Sequence, residues 1–466
     1  MARTAKKDKA LTPEEKLAQA LVPDVEQPYR VPENWCWVTA SSLASVISKG
    51  TTPQGGKHAY TDTGISFLRV ENILDDGTIS HENIMHVSEE MHSGFLKRSV
   101  LQEGDILVSI AGTLGKTAII RKYDLPMNTN QAVSFIRLKC EEISRKYVKL
   151  AIDTPIIQSH LLSQTKVTAI PNLTLEIIGS CPIPLAPLAE QQRIVDRIES
   201  LFAKLDEAKA KAQAVVDGFE DRKSTILHKA FSGVLTCDWR EKHGFSQNIW
   251  ESVRLADVCT VNPNKASTKD LPDDLEVSFF PMPALSEVYG AITEPQTRKL
   301  GEVRTGFTNF SEGDVVFAKI TPCMENGKSA VIGPLVNNLG FGTTEFFVLR
   351  CGEKLYNRYL WHMVRDRSFR NEAKSVMSGA VGQQRVPRSF LENYPLQLPS
   401  VEEQKEIVRI LDDLFTKEQQ AKEIAEQLID QIDTMKKSIL ARAFRGELGT
   451  NDPNDESAVE LLKRVL

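Results

Sequence analysis

Two stretches of the chain carry side chains in alternating steps of four and three. The first runs through Ile194, Ile198, Leu201, Leu205, Ala208, Ala212, Val215, Phe219, Arg222 and Ile226. The second runs in the same phase through Ile407, Leu411, Leu414, Glu418, Ala421, Ala425, Leu428, Ile432, Met435 and Ile439. A mean step of 3.5 sustained over several heptads predicts a coiled-coil seam. Each stripe implies a helix of roughly 40 residues, about 60 Å long. Ser400-x-x-Glu403 has the form of a capping box, and Gly233 and Gly446 stand where C′ glycines belong. Neither helix can bury its stripe alone, so an antiparallel pair within one chain is expected, with close approach at Ala208/Ala212 and Ala421/Ala425. The alternative is that each helix packs only on its own domain.

Between these arms the pattern changes to short strand-like runs closed by Gly, Asn or Asp. Ile65–Val70, Asp105–Ile110 and Val133–Leu138 are echoed in order by Val277–Met282, Asp314–Ala318 and Phe346–Leu349. Gly104-Asp105 precedes Gly115-Lys116, as Gly313-Asp314 precedes Gly327-Lys328, and tryptophans open both blocks (Trp35 and Trp37; Trp250). The arms repeat more plainly. Residues 182–235 align without a gap on 395–448, with 20 of 54 positions identical, where chance gives about 3. A separation of 213 residues is too long for a solenoid and indicates a duplicated half-molecule. The fold expected is α+β: two mixed α/β domains in pseudo-two-fold arrangement, joined by two long antiparallel coiled-coil helices. The segments are an N-terminal extension (1–29), a first domain (30–185), a first arm region (186–247), a second domain (248–398), and a second arm region with a tail (399–466).

Hydrophobic content of 41% and charged content of 26% are those of a soluble globular chain. No run approaches a membrane span, and no apolar stretch follows the basic N-terminus to make a secretory signal. Seven scattered cysteines without CxxC fit reduced thiols in a cytoplasm. The net charge of −5 arises from residues 399–466, with 10 basic against 15 acidic side chains. The remainder balances, so global charge neither supports nor excludes nucleic acid.

The local motifs argue against catalysis. SIAGTLGKT (109–117) has Ile110, and the second copy Pro322, where a phosphate-binding loop needs glycine. A tight turn is expected instead, leaving Lys116 and Lys328 available for a backbone phosphate. HENIMH (81–86) separates its histidines by five residues, which places them on different helix faces and forms no metal pair. Asn262-Pro263-Asn264 lacks the second proline and the aromatic of an amino-methyltransferase, and no GxGxxG for S-adenosylmethionine is present. No cofactor is expected in this chain.

The candidate nucleic-acid contacts are local clusters. Arg365, Arg367, Arg370 and Lys374 fall in one helix-like segment, followed by a glycine-hinged loop with Gln383, Gln384 and Arg385. Such amides and guanidinium suit adenine and guanine edges. The matching place in the first domain holds Lys166 and Thr168.

The arms carry a resemblance. PIPLAPLAEQQRIVDRIESLF with KSTILHKAFSG, then PLQLPSVEEQKEIVRILDDLF with KKSILARAFRGEL, resemble the conserved regions of type I restriction–modification specificity subunits. The opening LTPEEKLAQALVP with VPENWCW is also similar, so the resemblance covers nearly the whole chain; Ser400 and Gln397 replace the prolines found as Pro187 and Pro184. It implies a DNA reader without catalysis. The partners would be double-stranded DNA, two modification subunits holding S-adenosylmethionine, and restriction subunits using ATP and Mg²⁺. By position, Glu190, Gln191, Ile194, Ile198, Leu201, Phe202 and Phe231, with Glu403, Gln404, Ile407, Leu411, Leu414, Phe415 and Phe444, would form the spacer and the surface for modification subunits. A non-catalytic coiled-coil scaffold without DNA readout is the competing expectation.

Overall fold

The computed structural model describes residues 12–164, 172–245, 250–264, 267–380 and 382–466. It divides into two compact units, 1–211 with 428–466, and 212–427, so that the division falls inside both arms.

The first unit is built on three sheets. Strands Cys36–Thr39 and Pro182–Leu185 pair antiparallel and close the domain where the chain enters and leaves it. The main sheet runs Ala44–Lys49, Val133–Leu138, Ile106–Ser109, Thr117–Ile119, all antiparallel. A smaller sheet sets Ile65–Leu68 parallel to Met127–Thr129 and antiparallel to Met85–Val87. Alternation along Val133–Leu138 is lost because nearly every residue is buried, as expected of a strand covered on both faces.

The second unit repeats this plan. Glu251–Arg254 closes on Pro395–Leu398. The main sheet runs Cys259–Val261, Phe346–Cys351, Val315–Ala318, Ser329–Val331. The smaller sheet keeps its parallel pair, Glu276–Phe280 with Gly340–Gly342, and adds an edge strand, Thr308–Phe310. The Gly-Asp echo has the same physical cause in both. Arg137 holds Asp105 with two hydrogen bonds of 2.8 and 2.7 Å, and Arg350 holds Asp314 at 2.8 and 2.7 Å. These are forked, charge-assisted contacts that pin one strand of the main sheet to the turn before its neighbour.

Each unit takes arm residues into its core. Ile194, Val195, Ile198, Leu440, Ala443 and Phe444 belong to the first core, and Leu227, Ala230, Ile407, Val408 and Leu411 to the second. The arms run antiparallel within each unit. In the first, Lys209 meets Asp433 at 2.6 Å and Lys436 meets Asp206. In the second, Arg222 meets Glu418 at 2.7 Å and Lys422 lies over the Phe219 ring. The second arm is one helix, Val401–Ala443. The first is two, Leu188–Asp217 and Phe219–Phe231, interrupted at Gly218, a residue that stabilises a helix interior poorly. Arg222 reaches back across the break to the Val215 carbonyl at 2.8 Å.

The helix boundaries depart from expectation in one detail. Gly233 and Gly446 have φ of +75°, and a Cβ on Gly446 would meet Pro32 at 2.5 Å. Ser400 caps the second arm by accepting the Glu403 N–H at 3.3 Å. The Glu403 carboxylate does not return to complete a capping box; it is drawn inward to Thr236, Arg240 and Trp250.

Candidate nucleic-acid interface

The Glu-Gln pair that opens each arm lies inside its unit. Glu190 is fully buried and accepts from Trp35 Nε1 at 2.7 Å, Asn451 Nδ2 at 2.8 Å and Thr450 Oγ1 at 3.2 Å. Gln191 accepts the Ser144 N–H at 3.1 Å and donates to the Ala186 carbonyl at 3.0 Å. In the other unit, Glu403 accepts from Thr236 Oγ1 at 2.6 Å, from Trp250 Nε1 at 3.1 Å and from Arg240. Gln404 accepts the Tyr356 N–H at 2.7 Å. Both pairs thus do one job: the carboxylate holds the tryptophan that opens a domain, and the amide holds the start of a helix within it. Ile194, Ile198, Ile407, Leu411 and Phe444 are buried beside them, and Leu201, Phe202, Phe231, Leu414 and Phe415 are half-buried. Apart from Leu201 and Leu414, these residues belong to the two domain cores or pack against them. Aromatic pairs complete each junction, Tyr147 with Phe444 at 5.0 Å and Tyr359 with Phe231 at 5.4 Å.

The two Gly-Lys turns also share one role. Lys116 donates to the Ile73 carbonyl at 3.2 Å and pairs with Asp75 at 2.7 Å. Lys328 donates to the Met282 carbonyl at 3.4 Å. These lysines, expected to be free for phosphate, brace a neighbouring loop. The segment carrying Arg365, Arg367, Arg370 and Lys374 forms helices Asn357–Arg365 and Arg367–Ser375. Arg365 donates to the carbonyls of Gly327, Glu287 and Val288 at 3.2, 3.0 and 3.1 Å. Burial, then the neighbouring Arg370, pulls its pKa down to about 10. Arg370 donates to the Glu325 carbonyl, while its Nε is buried without a partner. Lys374 pairs with Glu325 at 2.5 Å, and Arg367 is exposed.

The loop after this helix is closed by a bridge between Ser378 and Arg385. Gln383 is exposed near its tip and Gln384 is half-buried, its N–H on Thr321 Oγ1 at 3.2 Å. The Arg385 guanidinium forks onto Glu345 at 2.9 and 2.8 Å, which lowers the Glu345 pKa and raises its own. Arg385 therefore orders the loop through Glu345, and Gln383 is its exposed amide. Lys166 and Thr168 lie outside the described residues.

The repeat held a signal that residue-by-residue reading missed. Lys223 and Lys436, identical in the aligned arms, sit over the equivalent Phe415 and Phe202 rings at 5.7 and 5.1 Å. Lys436 lines a cleft of about 1800 Å³ in the first unit, with Arg145, Lys149, Lys209 and Lys437. Eight cationic side chains and eight carboxylates line this cleft, so it is not a simple basic groove. Among the described residues no group of three or more His, Cys, Asp or Glu side chains is placed to hold a metal, and no helix is long and apolar enough to cross a membrane.

A family model described as the type I restriction modification DNA specificity domain matches residues 32–216 and again residues 248–431. The chain is 36% identical over 258 residues to the specificity subunit of type I restriction enzyme EcoEI from Escherichia coli, covering 46% of this chain and 43% of that relative. The match thus spans less than half of that relative's length. To the StySPI specificity subunit of Salmonella potsdam it is 22% identical over 432 residues, 90% of each chain. Among solved structures, the HsdS subunit of Thermoanaerobacter tengcongensis superposes with a TM-score of 0.59 at 19% identity, covering 91% of this chain and 100% of that one. A chain from a structure of the type I R-M system gives 0.64 at 19% identity, over 90% and 100%. These two likenesses are likenesses of fold.

Proposed function

Because the chain belongs to the type I restriction modification DNA specificity family, matched once in each half, we propose that it is the DNA-reading subunit of a type I restriction–modification complex. Each recognition domain reads one half of an asymmetric, bipartite target in double-stranded DNA. The arms set the unread spacer and dock two modification subunits. The chain itself performs no chemistry. Adenine methylation belongs to the modification subunits, which hold S-adenosylmethionine. Cleavage belongs to restriction subunits using ATP and Mg²⁺, and the complex works in the cytoplasm.

One observation carries this reading: the same domain occurs twice, fastened to its arm by the same Glu-Gln pair, while the surface loops of the two copies differ in sequence. A duplicated scaffold with unlike loops suits two different half-sites. Since the inward faces of Ile194, Ile198, Ile407 and Leu411 are covered, docking falls to outward positions on the arms, where Leu428 and Met435 are 38% and 47% exposed.

The test is methylation mapping across the genome of a methylation-free bacterial host that expresses the chain with its modification subunit, and each subunit alone. A split motif with one modified adenine on each strand, seen only on co-expression, is the expected result. A complex that forms but modifies no motif would favour the scaffold reading.

A further inference from the structure

Both domains frame one surface loop with a 3₁₀ turn and a bridge, and a Gly-Lys lysine reaches that frame at a different carbonyl in each. In the first, the 3₁₀ turn Val70–Asn72 leads into a loop closed by an Ile73–Ile79 bridge, with Lys116 on the Ile73 carbonyl. In the second, Met282–Ala284 leads into a loop closed by a Leu285–Ile292 bridge, with Lys328 on the Met282 carbonyl. The frame is duplicated and its content is not. The first loop presents Asp75 and Asp76; the second presents Val288 and Tyr289.

The second loop is fixed from beneath at several atoms. Arg365 donates to the Glu287 and Val288 carbonyls at 3.0 and 3.1 Å, and Trp361 Nε1 to the Gly290 carbonyl at 3.0 Å. Asn326 holds the Glu287 carboxylate at 3.0 Å, and Ser286 Oγ accepts the Tyr289 N–H at 3.1 Å. Gly290 has φ of +60°, and a Cβ there would meet Arg365 at 2.3 Å and Trp361 at 2.5 Å. Yet the tip so fixed faces water: Val288 is 67% and Tyr289 73% exposed. A half-buried guanidinium ordering a tip whose side chains are mostly exposed gains the isolated chain little, since exposed apolar area contributes no burial. Such order is what a contact made elsewhere requires, because a pre-formed loop loses less freedom on binding.

We propose that Val288 and Tyr289 are specificity-determining residues of the second recognition domain, packing against base edges of its half-site. This rests on the reading of the domains as DNA readers. Apolar side chains discriminate thymine through its methyl group, and Arg367, exposed at the start of helix Arg367–Ser375, supplies positive charge for a flanking phosphate. The first loop has carboxylates at the matching place, Asp75 paired with Lys116 and Asp76 accepting from Thr78, which makes the two half-sites chemically unlike.

The experiment uses the whole complex, with the chain bearing Val288→Ala and Tyr289→Ala together, and Tyr289→Phe alone. Methylated motifs are mapped and assembly is followed by native mass spectrometry. The double variant is expected to relax one or two positions of a single half-site, with discrimination falling about 5- to 100-fold, while the other half-site and the assembly stay unchanged. Tyr289→Phe keeps the ring and is expected to keep most of the discrimination. An unchanged motif in the double variant overturns the proposal, and so does failure to assemble, which would mark the tip as a protein contact. Absence of any motif with the unaltered chain would instead sink the reading of the domains as DNA readers, and this proposal with it.

Discussion

Glu190 and Glu403 occupy equivalent places and accept an indole N–H each, but their remaining partners differ. Glu403 is buried against Arg240, whereas the donors to Glu190 are the neutral groups of Trp35, Thr450 and Asn451. The same substitution should therefore have unequal consequences. Glu403→Gln leaves the Arg240 guanidinium buried without its counter-charge, a loss of about 3–5 kcal/mol. Glu190→Gln orphans no cation and turns one acceptor into a donor facing donors, about 1–3 kcal/mol. Urea unfolding of the two variants measures the order, and a costlier Glu190→Gln would contradict this account. The identity of these residues was plain in the sequence; their role was not. Repetition marks a residue as needed in both halves, but it does not say whether the side chain turns outward to a partner or inward to its own tryptophan. Arg385 shows the same limit. Its distance from Glu345 is 40 residues along the chain, and nothing local announces that the carboxylate will occupy the guanidinium.

At the scale of elements the pattern was legible to within a residue or two. Val133–Leu138 forms as expected, Phe346–Cys351 extends two residues beyond its expected end, and the other expected strands form with slightly shorter or shifted bounds. The seam is where period and geometry part. The expected stripe is buried or half-buried along the whole first arm; on the second it holds to Glu418 and, after that, only at every second position, Ala425, Ile432 and Ile439. Beyond that, Ala421, Leu428 and Met435 are exposed while Lys422, Ile429 and Lys436 turn inward. An α-helix that is not fully supercoiled drifts about 20° per heptad from a 3.5-residue repeat, so over three heptads one of the two columns of the seam moves by one residue while the column of Ala425, Ile432 and Ile439 stays covered. Ile432, common to both stripes, is 1% exposed and Met435 is 47% exposed. Ile432→Ala should cost about 2–5 kcal/mol and Met435→Ala less than about 0.5 kcal/mol. Thermal unfolding of the two variants decides, and equal losses would restore the unshifted seam.

At the scale of the whole molecule, the arms are the longest elements. The second arm is a single helix of 43 residues, about 65 Å at 1.5 Å per residue, and seven residues are nearly two whole turns, so removing seven keeps the helix face to within about 20°. If the arms set the unread spacer, deleting seven residues from each, opposite one another around the facing pair Lys209 and Asp433, removes about 10 Å of helix. That is up to about three base pairs at 3.4 Å each. The duplex constrains the outcome further, because only spacers that still turn both half-sites toward their domains are readable. The expected result, read by methylation mapping of the co-expressed complex, is a motif with both half-sites intact and a shorter spacer, and no modification at the original target. The recognition loops lie outside the deletion, so the half-site sequences serve as an internal control on folding. An unchanged spacer would remove the arms as the ruler and assign spacing to the partner subunits. Altered half-sites with an unchanged spacer would mean that the arms act on how each domain is held.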